Sequence, residues 1–170
     1  MNHRCIIFLF FLFLLASVGY GQNDCNCQKM IKEENEVLQC QTVPVSNDNT
    51  TQIALSAGSV NKSPYVSLTV RFKDTAIEID KSFELQLWLE DGNVVDLQYL
   101  NGGLALIENS QMAHGIYPLN SIQIVKLKAS NIKIVAFKLT DGLRRSYQIK
   151  MNSDILSNQL KCINLSSIIS

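Results

Sequence analysis

A mainly β domain of the α+β class is what this chain predicts: an antiparallel sheet or sandwich-like body with hairpins and a C-terminal helix. Three observations carry the expectation. From Tyr65 to Phe72, Val66, Leu68, Val70 and Phe72 alternate with Tyr65, Ser67, Thr69 and Arg71, the period of two of a half-buried strand. Leu89-Glu90-Asp91-Gly92 and Leu139-Thr140-Asp141-Gly142 each set an Asp-Gly pair between apolar runs, a hairpin signature. Ile155, Leu156, Leu160 and Ile163 fall on one helical face behind the capping residues Asn152-Ser153, which predicts a helix over 153–164.

The N-terminus reads differently. Arg4 precedes an unbroken apolar run from Cys5 to Ala16, followed by small residues at Gly19 and Gly21. That is the three-part pattern of a secretory signal peptide, with cleavage expected before Gln22, so 1–21 is assigned to the signal. The run is shorter than the about 20 apolar residues needed to span a bilayer, and no transmembrane segment is expected after cleavage. The working chain is then 149 of the 170 residues, with 14 basic against 15 acidic side chains. A chain so close to neutral, without a Lys/Arg cluster, lacks the electrostatic footprint of a nucleic-acid binder.

Of five cysteines, Cys5 leaves with the signal, and Cys25, Cys27, Cys40 and Cys162 remain. An even set in an exported chain implies disulfides. Residues two apart rarely reach the required geometry, so Cys25 or Cys27 joins Cys40 and the other reaches Cys162. Closing that long loop contributes about 4–5 kcal/mol in the chain-entropy model. A four-thiol metal site is the rival, and Cys-x-Cys spacing argues against it.

Along the chain, 22–35 is a polar, cysteine-bearing arm without periodicity, and 36–170 forms one domain. Glu36–Val45 is expected as a first strand, Ser46–Thr51 as loop, and Gln52–Ala57 as a second strand ended by Gly58. The hairpin at Phe83–Leu100 is decided by parity. A two-residue Asp91-Gly92 loop would set Leu87 against Asp96 and Leu85 against Gln98. A three-residue loop, with Gly92 left-handed in a G1 bulge, instead pairs Leu87 with Val95, Leu85 with Leu97 and Phe83 with Tyr99. The same construction at Asp141-Gly142 pairs Leu139 with Leu143, Val135 with Tyr147 and Ala136 with Ser146. Between the hairpins, Asn101-Gly102-Gly103 ends a strand, Leu104–Glu108 forms another, and Asn109–Asn120 reads as irregular. Ser121–Ser130 fits either a strand or a short helix with an Ile122/Val125/Ala129 stripe capped by Ser121, and the helix is preferred because it feeds into the strand at Asn131-Ile132.

The export signal ending Gly19-Tyr20-Gly21-Gln22, the start Cys25-Asn26-Cys27, the Leu-x-Asp-Gly turns at Asp91 and Asp141, Asn131-Ile132-Lys133, and the end Asn158-Gln159-Leu160-Lys161-Cys162-Ile163 carry a resemblance. The chain resembles a loose group of small, uncharacterised exported proteins of Bacteroidetes-type bacteria. The resemblance implies a periplasmic or extracellular location and no particular activity.

Chemistry is sparse. There is no P-loop and no Gly-x-Gly-x-x-Gly before a helix, and His114 is the one histidine left after cleavage, too few for a histidine metal site. No cofactor and no metal are expected, and no catalytic residue is assigned. Glu84, Glu90, Asp91 and Asp96 gather near one hairpin, where acids ordinarily solvate a turn rather than act as a glycosidase pair. Trp88 is out of phase with Leu85, Leu87 and Leu89. A covering helix or second sheet would bury it in a small second core; an uncovered face would make it an aromatic platform, with Trp88 and Tyr99 as the binding candidates. The function expected is a non-enzymatic exported binding or protein-interaction module contacting an envelope component or another protein. The alternative is a weak hydrolase using His114 and a nearby acid.

Overall fold

The computed structural model describes residues 26–48, 50–72, 77–107 and 110–168. The segment read as a signal peptide, and Cys25, lie outside the described residues. The strands are β1 (Cys27–Lys32), β2 (Asn35–Cys40), β3 (Val43–Asn47), β4 (Thr51–Val60), β5 (Ser63–Phe72), β6 (Leu85–Leu89), β7 (Val94–Leu97), β8 (Asn101–Ile107), β9 (Ser110–Pro118), β10 (Ile132–Lys138) and β11 (Arg144–Gln148). The helices are α1 (Ser121–Ala129) and α2 (Ile155–Ile168). A seven-stranded sheet runs β1-β2-β4-β5-β9-β8, with β3 also on β4, and a four-stranded sheet runs β11-β10-β6-β7. Every pairing is antiparallel, as the alternating segments predict.

The inner faces of both sheets and one face of each helix share a single apolar core. Ile53, Leu55, Val66, Leu68 and Val70 come from the large sheet, Leu85, Leu87, Val95 and Val135 from the small one, and Leu127, Leu156 and Leu160 from the helices. Both Asp-Gly hairpins adopt the three-residue loop. Gly92 and Gly142 have φ of 88° and 83°, left-handed values that glycine adopts without strain. Leu89 N–H bonds the Asn93 carbonyl at 2.9 Å and Leu139 N–H the Leu143 carbonyl at 3.2 Å. Leu87 then faces Val95, Leu85 faces Leu97, Val135 faces Tyr147 and Ala136 faces Ser146. The β6–β7 ladder stops at Leu85, so Phe83 does not pair with Tyr99; its ring stands 5.6 Å from the Arg144 guanidinium instead.

Several local expectations are corrected. The arm contains β1, whose side chains past Cys27 are all exposed. An edge strand wet on both faces has no alternation to read; its pairing is held by the Cys27–Cys40 disulfide at one end and the left-handed Glu33-Glu34 turn at the other. Gly58 does not end its strand: it lies within β4 under the Tyr65 ring, where a Cβ would come within 2.5 Å. The irregular stretch is β9, between β5 and β8. Its inward residues Ala113 and Gly115 are too small to show a period, and Gly102-Gly103, expected as a strand end, lie within β8. The helix over 121–129 is capped by Asn120 rather than Ser121, in a reciprocal capping box with Gln123. It packs through Leu127, so Ile122 and Val125 are each 67% exposed and the expected stripe faces water. The C-terminal helix begins at Ile155 and buries Leu156, Leu160 and Ile163, as expected.

The expected strand 36–45 is two strands, β2 and β3, both on β4 and broken at Gln41-Thr42. The break is filled from α2, whose Gln159 is 1% exposed. Gln159 Oε1 accepts from Ala57 N–H and Nε2 donates to the Gln41 carbonyl, each at 2.7 Å. Together they replace the ladder bonds that the break removes.

Gln159→Leu keeps the volume and takes the partner from the buried Ala57 N–H and the part-buried Gln41 carbonyl, so it is expected to cost about 1–3 kcal/mol. Urea denaturation measures this, and a loss below about 0.5 kcal/mol would show that the break needs no plug.

Candidate functional site

The three-residue loop at Gly92 decides which β6 side chains face out. With Leu85, Leu87 and Leu89 inward, Gln86 and Trp88 point away from the core. The register across the small sheet sets them in two rows. One holds Gln148, Ile134, Trp88 and Val94; the next holds Ser146, Ala136, Gln86 and Asp96. Neither helix covers Trp88, which is 43% exposed; it forms no second core. Ile134 and Val94 beside it are half-buried, and Ala136 is 1% exposed despite facing outward, a low floor beneath taller neighbours.

Around this floor the polar groups are tied together. Gln86 Nε2 donates to Asp96 Oδ1 at 2.9 Å, Arg144 Nη2 donates to Gln86 Oε1, and Gln98 Nε2 donates to Glu84 Oε1. Arg144 rests on Phe83, a cation–π contact that aims its guanidinium. The acids clustered in the sequence are thus each bonded to an amide rather than to one another: Glu84 to Gln98, Asp96 to Gln86, Asp91 to Asn93 and Glu90 to Asn131. A cavity of about 360 Å³ adjoins the Trp88 row at Gln148, lined also by Glu90, Lys133 and Lys150.

Tyr99 is placed elsewhere. It faces the core, edge-on to Tyr117 at 5.8 Å, with its hydroxyl over Gly102, where a Cβ would come within 2.7 Å. Burial first, and the Glu78 carboxylate second, push its phenol above the usual range. Tyr99 and Trp88 therefore occupy opposite faces of the small sheet's β6–β7 hairpin and its exit. His114 sits mid-strand in β9 between Thr69 and Gly103, with Nδ1 buried and without a hydrogen-bond partner. Neither cross-strand neighbour is an acid.

Cys27 and Cys40 form a disulfide. Cys162 is also disulfide-bonded; Cys25, from which the bridge to it is expected, lies outside the described residues. Among the described residues, no three His, Cys, Asp or Glu side chains converge as metal ligands. No family model matches the chain, and no curated protein or solved structure shows significant similarity to it.

Sequence reasoning missed Arg144 and Ile134 as neighbours of Trp88. Arg144 and Gln86 are 58 positions apart, and the signal that joins them is the β6–β10 pairing, which no local pattern encodes.

Three carboxylates clip turns, Asp48 and Asp91 exposed and Asp80 partly covered beside Lys138. Asp48 accepts from the Thr50 and Thr51 amides, Asp80 from the Ser82 hydroxyl and amide, and Asp91 from the Asn93 amide. Those bonds hold all three below the usual carboxylate range. A lowered folded pKa contributes stability above the unfolded value of 3.8, lost as pH falls through the folded values. Melting temperature should be level from about pH 7 to 5 and fall below about pH 4; melts across that range check it, and a flat profile at acid pH would contradict the clips. Trp88 is the sole tryptophan. Its emission in the folded protein should be that of a wet indole and be quenched by acrylamide, whereas a blue, shielded emission would mean the face is covered.

Proposed function

We propose that this chain is an exported, non-catalytic binding module that presents the Trp88 face of its small sheet to a component of the cell envelope. The observation that carries the reading is an exposed indole beside an ordered row of planar polar groups, Arg144, Gln86 and Asp96. Export is supported by two bonded cysteine sites, which form and persist in oxidising compartments. The apolar run behind Arg4 fits a signal peptide. Among the described residues, no helix is long and apolar enough to cross a membrane.

The chemistry of the face favours a neutral ligand with one apolar side and many hydroxyls, as polysaccharides have. An indole stacks on the apolar side of such a ring. Amide, carboxylate and guanidinium groups offer paired donors and acceptors in a plane. The charges on this face, Glu84, Asp96 and Asp80 against Arg144 and Lys138, with Asp80 paired to Lys138 at 3.4 Å, leave no excess of positive charge, so nothing there selects a polyanion.

Binding of neutral envelope polysaccharide should weaken about tenfold or more in Trp88→Ala, a loss of about 1.4 kcal/mol. Tyr99→Phe, on the inner face, should bind as the wild type does. Trp88 emission should shift saturably with the ligand. If Trp88→Ala binds envelope material as well as the wild type does, the face is not the contact surface.

A further inference from the structure

Among the described residues, the two sheets leave five strand edges without a neighbouring strand, and four of them are guarded. β1 carries Lys29 and Lys32, and Lys29 pairs with Glu36 at 3.0 Å. β3 contains Pro44, and its Val45 carbonyl is taken by the Lys150 and Met151 amides. β7 is four residues long, bears Asp96, and its Asp96 carbonyl accepts from Gln123 of α1. β11 carries Arg144 and Arg145. Charges, proline, shortness and covering segments are the devices by which edge strands avoid pairing with other chains.

Among the described residues, β8 has none of them. Asn101-Gly102-Gly103-Leu104-Ala105-Leu106-Ile107 is seven residues long without a charge or a proline. Its ladder with β9 runs unbroken from Asn101↔Ile116 to Ile107↔Ser110, so no bulge twists the edge away. It ends the large sheet. Leu104 is 44% exposed, and Leu100 just before the strand is 66% exposed.

From this contrast we infer that β8 is a pairing edge and that its occupant is β8 of a second copy of the chain. Two β8 strands, antiparallel across a two-fold axis, join two seven-stranded sheets into one. Under that symmetry every position of the strand meets an uncharged position, so the strand complements itself. An extended peptide selected by charge would find no counter-charge along it. The contact is small: seven residues span about 23 Å, which places the dimer among weak, concentration-dependent associations in the micromolar range. The inference does not rest on the Trp88 reading.

Sedimentation equilibrium of the full exported chain from about 5 to 500 µM tests it. The wild type should rise from monomer towards dimer mass, and Leu104→Lys, which brings like charges together near the axis, should remain monomeric with an unchanged melting temperature. Amide exchange in the wild type should slow in β8, and not in β1, as concentration rises. That second measurement decides the matter should Leu104→Lys fold poorly. Trp88→Ala should dimerise as the wild type does. A wild type monomeric at the highest concentration, a folded Leu104→Lys that dimerises equally, or β8 amides indifferent to concentration would each overturn the inference.

Discussion

The parity set by two left-handed glycines governs this molecule. Side chains alternate with a period of two along a strand, so one residue more or fewer in either Asp-Gly loop would turn a whole strand face over. With Gly92 and Gly142 left-handed, Leu85, Leu87, Val95 and Val135 all face the large sheet and close one core with Leu68 and Val70. The same parity sends Trp88 and Gln86 outward. Core and candidate face are therefore two consequences of one turn geometry, and a sequence change that moved one would move the other.

The second constraint is the broken pairing along β4. A sheet interrupted at Gln41-Thr42 would leave the buried Ala57 N–H bare, and α2 supplies partners for it and for the Gln41 carbonyl through Gln159. This explains a buried amide on a helix face that is otherwise apolar but for Ser157, whose hydroxyl donates to the Lys128 carbonyl. It also makes the docking of α2 specific, because an apolar stripe alone could slide along the sheet, whereas one amide fits one gap. Asn152 fixes the approach to the helix by donating to the Pro44 carbonyl at 2.8 Å. The Cys27–Cys40 disulfide closes the neighbouring hairpin, so a cross-link and a side-chain plug both fall where the pairing of the large sheet is least regular.

The legible parts of this fold are those with strong local periodicity. β5, both three-residue hairpins and the buried face of α2 follow from alternation, parity and helical spacing. The illegible parts fail for identifiable reasons. β1 is wet on both sides and shows no period. β9 hides its period because its inward Ala113 and Gly115 are small; Gly115 leaves room for the Tyr117 ring, as Gly102 across the ladder does for the Tyr99 hydroxyl. The α1 stripe misled because Ile122 and Val125 have helical spacing but face water, and spacing carries no sign of which face is buried. At the site, Trp88 stood out from its phase alone. Its partners on β10 and β11 were hidden because β10 lies beside β6 by tertiary pairing.

Stability accounts for some of the chemistry and leaves the rest over. Gln159, Gly115 and Tyr117 are each required by packing or by a backbone group that would otherwise be bare. Trp88 is not. Its half-exposed indole contributes to folding mainly through its cross-strand pairs with Val94 and Ile134, each worth about 0.2–1 kcal/mol, and threonine, valine or tyrosine would serve as well in a strand. The row Arg144, Gln86 and Asp96 is likewise open to water, where such pairs add little. Folding thus demands neither the indole nor the ordered polar row beside it. Their joint presence, on a face that the register brings together from four strands, is what supports reading that face as a place where the molecule meets something else.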